Sequence, residues 1–320
     1  DQSPPMTVFH DNTLKNPNDL NHKGWTTMYI PARLADNKYI DPSYSAVFSA
    51  MSPARAKALR DGDWDAVEGS ALHLLDKDRH CLAPFTSPRH WATYMALDWG
   101  TASPFAVLWF AVASEDSKAH LYNGKPVLVP RGTLIQTNEW YGWTGKENEG
   151  VRLPSNVVAR RILEKEEALN IRRPEVRIAD SSMWNRVDAA SPAENMMEAT
   201  SGRLMLTRCR KDRQSNFDEV NCRLAGNPRL NHDGRIEDTP MLYITANCVQ
   251  TWRTLPSLLL DSQHPEMGPD GRGENHCYDS LSYMCASRPY AVTLKDRQLA
   301  EYNEIKRQRQ VNMDHYATRQ

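Results

Sequence analysis

The sequence predicts an α/β protein: a mixed β-sheet flanked by helices, preceded by an extended, partly helical N-terminal arm. Three observations lead there. Strand-like apolar runs crowd together between residues 93 and 141, strands and helices then alternate as far as residue 286, and the first ninety residues follow neither pattern.

Each element has its own justification. Residues 1–88 are rich in Pro, Asn and Asp, with apolar clusters such as MYIPARLA and a helix-like SPARAKALRDGDW at 52–64. Turn-forming residues at that density describe an arm rather than a core layer. From Trp91 onward, strand-like runs fall at 93–98, 104–112, 119–122, 126–129 and 132–141. Turn signals at Asn123–Gly124 and Pro130–Gly132 separate the later ones and predict a meander. A helix over 156–169 opens at Ser155 after Pro154 and spaces Val157, Ile162 and Leu169 among charges. There follow a strand EVRIAD (175–180), a helix PAENMMEA (192–199), a short strand RLMLT (203–207) and a helix SNFDEVNCRLA (215–225). The series closes with a strand MLYIT (241–245), a helix CVQTWRTLPSLL (248–259) bent at Pro256, and a helix ENHCYDSLSYMCA (274–286). GPDGRGEN at 268–275 is the most loop-like segment of this body, and the charged tail is expected to be solvated. The chain therefore divides into 1–88, 89–290 and 291–320.

Bulk properties exclude several function classes. With a net charge of −1 over 320 residues there is no global field to attract nucleic acid, so any such role rests on local patches. The six cysteines form no CxxC pair, which argues against a zinc knuckle or a disulfide scaffold and for reduced thiols. No signal peptide and no apolar run of membrane-spanning length is present, so no membrane partner is expected. The first residue is Asp rather than Met, and the chain reads as a piece of something longer.

Chemistry concentrates in three acids. Asp98 ends the first strand, Asp180 ends EVRIAD, which is expected to run parallel to it, and Asp279 lies on the last helix. In an open α/β sheet functional groups gather beyond the carboxyl ends of strands, so two strand-terminal carboxylates can share a crevice and a crossing helix can add a third. Hard divalent cations such as Mg²⁺ or Mn²⁺ prefer such oxygen donors, and a pair of them supports phosphodiester hydrolysis. At 100° per residue Cys277, Leu281, Met284 and Cys285 form an apolar stripe, while His276, Asp279 and Tyr283 share another face. Taken singly, Asp98 with Gly100 also fits a turn, Asp180 a helix cap, and His276 with Asp279 a solvated face.

The order ALDWGTASP (96–104), RIADSSMW (177–184), ENHCYDSLSY (274–283) resembles the nuclease domain of the large terminase subunit of tailed bacteriophages. YIPARLADNKYIDPSY (29–44) and DGDWDAVEG (61–69) resemble the end of that family's ATPase domain and its linker, and CVQTWRTLP resembles the helix before the last motif. The resemblance implies an RNase H-like fold. It also implies a metal-dependent endonuclease that cleaves concatemeric viral DNA during genome packaging by two-metal hydrolysis. Asp98, Asp180 and Asp279 would hold two Mg²⁺ or Mn²⁺ ions, with His276 an accessory residue and Gly100 turning the chain out of the first strand. Double-stranded DNA, a small terminase subunit and a portal protein are the implied partners, in the host cytoplasm. Asn275 stands where an acid is common in the family and Ser282 where an Arg is frequent. No GxxxxGK[ST] phosphate loop occurs, so the ATPase motor is expected to be absent from this chain.

Outside the triad, Glu139 reads either as a further ligand or as a strand-edge surface residue. The basic run at 203–213 is expected to offer Arg208, Arg210, Lys211 and Arg213 to DNA phosphates. Arg160, Arg161, Arg172, Arg173 and Arg177 alternate with Glu164, Glu166 and Glu167 and read as a solvated face, and Tyr141 and Trp143 as packing. Two alternatives stand beside the nuclease: an actin- or sugar-kinase-like ATP-binding protein, suggested by Asp-x-Gly-Thr at 98–101, and a non-catalytic module docking on the packaging motor.

Overall fold

The computed structural model describes residues 8–11, 25–28, 69–171, 173–186, 190–210, 212–230, 236–287 and 289. The chain divides into two units, 1–68 and 69–320. In the first, β1 (Val8–Asp11) pairs antiparallel with β2 (Trp25–Met28), a hairpin that an arm with short helices did not anticipate. The stretches at 29–44 and 52–64 and the charged tail lie outside the described residues.

The second unit is built on a seven-stranded mixed sheet. Its two central strands, β4 (Ala92–Asp98, ATYMALD) and β5 (Ala106–Val112, AVLWFAV), are buried at every position. Continuous apolar runs of this kind suit strands covered on both faces, and the period-two alternation sorts their side chains between two cores. Met95, Leu97, Val107 and Trp109 pack with Val158 and Ile162 of α2 (Ser155–Ala168) and Met196 of α3 (Pro192–Ala199). Tyr94, Ala96, Leu108 and Phe110 pack on the other face with Phe217 and Val220 of α4 (Arg213–Ala225), Trp252 of α5 (Val249–Thr254) and Leu281 of α6 (His276–Ala286). Full burial of each such side chain contributes about 1.5–3 kcal/mol, so these layers dominate the unit's cohesion.

Topology follows from the connections. β4 and β5 are antiparallel, as are β5 and β8 (Leu134–Tyr141). Beyond β4, α2 crosses over to β9 (Val176–Ala179), parallel to β4, and α3 crosses over to β10 (Thr207–Arg208), parallel to β9. The order β8-β5-β4-β9-β10, with an antiparallel trio followed by parallel additions, is the RNase H-like arrangement. β13 (Leu242–Thr245) extends the sheet parallel to β8, and β3 (Cys81–Leu82) closes that edge.

Several expectations change here. The strand runs near 119–122 and 126–129 leave the sheet to form a separate hairpin, β6 (Ser117–His120) with β7 (Pro126–Val129); exposed positions alternate along both strands, which suits a ribbon with one wet face. RLMLT yields only the two-residue β10, and a hairpin of β11 (Asn227–Leu230) with β12 (Ile236–Thr239) was not anticipated. The bend expected at Pro256 is present, where α5 gives way to a 3₁₀ turn at Leu255–Ser257. Residues 69–88, read as arm, pack into the compact unit: Ala71, Leu72, Cys81 and Leu82 are buried, and α1 (Lys77–His80) buries His80, whose Nε2 lies 2.9 Å from the Leu224 carbonyl.

Arg177 is not on a solvated face either. It is 5% exposed on β9 and forms a two-pronged pair with the equally buried Glu166 of α2, at 2.6 and 3.2 Å. Trp109 Nε1 donates to the same carboxylate at 3.2 Å, tying α2 to two strands of the sheet.

Candidate active site at the carboxyl end of the sheet

Parallel pairing sets two of the acids side by side. Leu97 lies opposite Ala179, and the Asp180 N–H donates to the Leu97 carbonyl at 3.1 Å, so Asp98 and Asp180 leave neighbouring strands together. The turn after Asp98 needs its glycine: a Cβ on Gly100 would lie 2.5 Å from the Ser103 and Pro104 carbonyl oxygens. Asp180 does cap a short helix, accepting from the Ser182 N–H at 3.3 Å and from its hydroxyl. The cap and the candidate site residue are therefore one and the same.

The third acid arrives on α6. Cys277, Leu281, Met284 and Cys285 are buried in the core, as the helical stripe predicts, which turns His276, Asp279 and Tyr283 toward the strand ends. His276 Nδ1 lies 2.9 Å from Asp98 Oδ2, and the Tyr283 hydroxyl donates to Asp98 Oδ1 at 3.5 Å. The other ring nitrogen of His276, Nε2, is 2.9 Å from Asn148 Oδ1.

Electrostatics register the crowding. Burial pushes the Asp98 carboxyl upward, the Asp180 charge adds to this, and His276 and Tyr283 oppose it. Asp279 is pushed well above the ordinary carboxylate range, first by burial and then by Asp98, with Asp180 adding to it and Arg213 opposing. Burial and the three acids likewise hold the Tyr283 phenol protonated. Three oxygen-donor acids whose charges repel one another form a donor set that suits a hard divalent cation, which would relieve that repulsion. As they stand, Asp98 is turned to His276 and Asp180 to Ser182, and among the described residues no three such side chains converge on one metal position.

No protein-family model and no curated protein sequence matches this chain. Among solved structures it is similar to the large terminase from a thermophilic bacteriophage, with 17% identity over 80% of this chain and 53% of that one, at a TM-score of 0.47. It is similar also to the P22 large terminase nuclease domain (10% identity, 72% and 97% covered, TM-score 0.46). A third is the large terminase nuclease from thermophilic phage G20c with bound cobalt (12% identity, 70% and 99% covered, TM-score 0.39). The chain resembles phage large terminases. It spans about half the length of the first of these proteins.

The basic run is divided. Cys209 N–H donates to the Ala179 carbonyl at 2.9 Å, so the segment beginning at Arg208 starts next to Asp180. Arg208 and Arg210 are exposed, and the Arg208 guanidinium lies over the Trp184 ring at 5.1 Å. Lys211 lies outside the described residues. Arg213 donates to the Pro269 carbonyl at 2.6 Å and lowers the pKa of Asp279, so it braces the site's loop as well as carrying charge.

Neither reading of Glu139 holds. β8 lies inside the sheet, and this carboxylate accepts from the N–H groups of Gln250 and Thr251, at 2.6 and 2.9 Å, and from the Thr251 hydroxyl at 2.7 Å. It anchors the first turn of α5 to the sheet. Burial pushes its pKa up while these donors pull it down.

Residues that sequence reasoning passed over also bear on the site. Glu274, 8% exposed, accepts from Tyr141 at 2.8 Å and takes a two-pronged pair with Arg253 at 2.7 and 2.9 Å. Arg253 lies 4.3 Å over the Trp143 ring, and Trp143, Arg253 and Glu274 line a pocket of about 400 Å³. Asn275 and Ser282, the departures from the family pattern, have modest places: Asn275 precedes α6, and the Ser282 hydroxyl donates to the Asp279 carbonyl at 2.8 Å. GPDGRGEN follows a 3₁₀ turn at Pro265–Met267 rather than a strand, unlike an adenosine loop of the kinase alternative.

Proposed function

We propose that this protein is a metal-dependent endonuclease that hydrolyses phosphodiester bonds of double-stranded DNA, in the manner of the nuclease part of a phage DNA-packaging terminase. What supports the reading is that Asp98, Asp180 and Asp279, far apart in the chain, lie within electrostatic reach of one another at one end of the sheet, where burial and mutual repulsion raise Asp98 and Asp279.

Asp98, Asp180 and Asp279 would hold Mg²⁺ or Mn²⁺, two ions in the full assembly of the site. Bound there, such ions supply a water acidified toward hydroxide and a positive clamp on the leaving oxygen. The chain's own residues do the rest. His276 and Tyr283 orient the Asp98 carboxylate from two sides, and Ser182 orients that of Asp180. Arg208 and Arg210, exposed beside the strand ends, would neutralise backbone phosphates without reading bases.

In this reading residues 1–68 are the end of an ATPase domain and its linker, 69–290 the nuclease, and 291–320 a charged tail. Cutting concatemeric viral DNA in the host cytoplasm, together with a small terminase subunit and a portal, completes the proposal. No helix among the described residues is long and apolar enough to cross a membrane. The test is plasmid digestion with Mg²⁺ or Mn²⁺ against EDTA, using wild type and Asp180→Asn. Metal-dependent nicking that the substitution abolishes is expected, and cleavage unchanged by either EDTA or the substitution overturns the proposal.

A further inference from the structure

The loop at 143–150 is pinned on several sides. Trp143 bridges to Gly150, the Thr144 N–H donates to the Glu149 carbonyl at 3.0 Å, and the Gly150 N–H donates to the Ala102 carbonyl at 2.7 Å. Gly150 approaches so closely that a Cβ there would lie 2.2 Å from the Ser103 carbonyl oxygen. Beside the loop the buried Glu274 carboxylate is locked by Arg253 and Tyr141, and the Asn148 backbone N–H helps to hold its pKa down. At the apex Asn148 takes φ 55°, the left-handed region that Asn tolerates better than most residues. Its side chain is thereby aimed at His276 Nε2, 2.9 Å away, while Nδ1 of the same ring faces Asp98.

We propose that Asn148 is a positioning residue for the Asp98 carboxylate, acting through His276. The inference rests on the reading of the three acids as a cation site. With Asp98 at Nδ1 and the Asn148 amide at Nε2, where the amide can offer its oxygen to an N–H or its NH₂ to a bare nitrogen, the imidazole cannot turn about its side-chain torsions without losing contacts at both ends. The orientation of Asp98 is thus inherited from a loop that does not itself touch a candidate ligand. Partners that orient a ligand from behind typically carry 10- to 100-fold in metal affinity.

The test separates backbone from side chain. Asn148→Gly keeps the left-handed turn and deletes the amide, whereas Asn148→Asp keeps an oxygen opposite Nε2. Mn²⁺ affinity is read by calorimetry on the metal-free protein, and the environment of the His276 ring by ¹⁵N NMR in EDTA. The expected result is a 10- to 100-fold weaker Mn²⁺ affinity and a shifted Nε2 resonance in Asn148→Gly, with the affinity retained in Asn148→Asp, whose added charge moves the resonance by itself. Unchanged affinity in Asn148→Gly, or equal loss in both variants, overturns the role of Asn148. If Asn148→Gly does not fold, Asn148→Ala takes its place, and an unchanged Mn²⁺ affinity there overturns the role as well. A wild-type protein that binds no Mn²⁺ sinks the cation-site reading instead, so the two failures are told apart.

Discussion

At neutral pH Asp279 is a carboxyl that burial and two neighbouring acids discourage from ionising. Its folded-state pKa is raised, so the folded chain keeps a proton that the unfolded chain loses near the ordinary aspartate value of about 3.9. The stability linked to that proton is complete below that pH and is lost progressively as pH rises toward the raised value. Asn cannot ionise and removes the penalty. Asp279→Asn is therefore expected to melt higher than wild type in EDTA near pH 7, by about 2–4 °C per kcal/mol relieved, with a flatter dependence on pH above about 5. The same variant should lose Mn²⁺-dependent cleavage, a trade between stability and function. Thermal melts from weakly acid to weakly basic pH check this, and equal slopes for the two proteins would contradict it. Spacing along one helix made His276, Asp279 and Tyr283 legible as neighbours in the sequence. Asn148 was not legible, because its contact with His276 spans 128 positions and NEG reads only as a turn.

Elements are held by buried or half-buried charges that the sequence presents as surface. Glu139 accepts from two of the orphan N–H groups of α5 from the sheet beneath. In Glu139→Gln one oxygen becomes an NH₂ facing donors, and a loss of about 1–3 kcal/mol is expected in urea unfolding. The Arg177–Glu166 pair joins α2 to β9 in the same way. Arg177→Met alone leaves the buried Glu166 carboxylate without its counter-charge and should cost about 3–5 kcal/mol, whereas Arg177→Met with Glu166→Leu should recover most of that loss. Denaturant midpoints of the two singles and the double decide it; an additive double would mean the pair is not coupled. Both acids sit in charge-rich or strand-end stretches, EWY and EKEEA, where composition alone points outward.

For the whole molecule, where the compact unit begins has consequences. Starting the chain at residue 89, the boundary composition suggests, would remove Ala71, Leu72, β3 and the buried His80. Deleting single buried aliphatic side chains costs about 2–5 kcal/mol each, and a domain's total stability is only about 5–15 kcal/mol. A 69–289 fragment should fold and melt cooperatively by circular dichroism, and an 89–289 fragment should not. A cooperative transition in the shorter piece would show that β3 and α1 are dispensable.

The sequence by itself determined the mixed α/β class and most strands and helices from Ala92 to Ala286, and it singled out the three acids with His276 as candidates, because these depend on periodicity and on position at the ends of apolar runs. Only the tertiary structure decided that 69–88 complete the sheet, that Glu139 and Arg177 face inward, that Arg213 braces a loop, and that Asn148 reaches His276. Those outcomes depend on which distant residue lies opposite a side chain once two layers close on the sheet. Local sequence carries no record of that partner, since burial of a charge is tolerated only where a donor or counter-charge from elsewhere in the chain arrives to meet it.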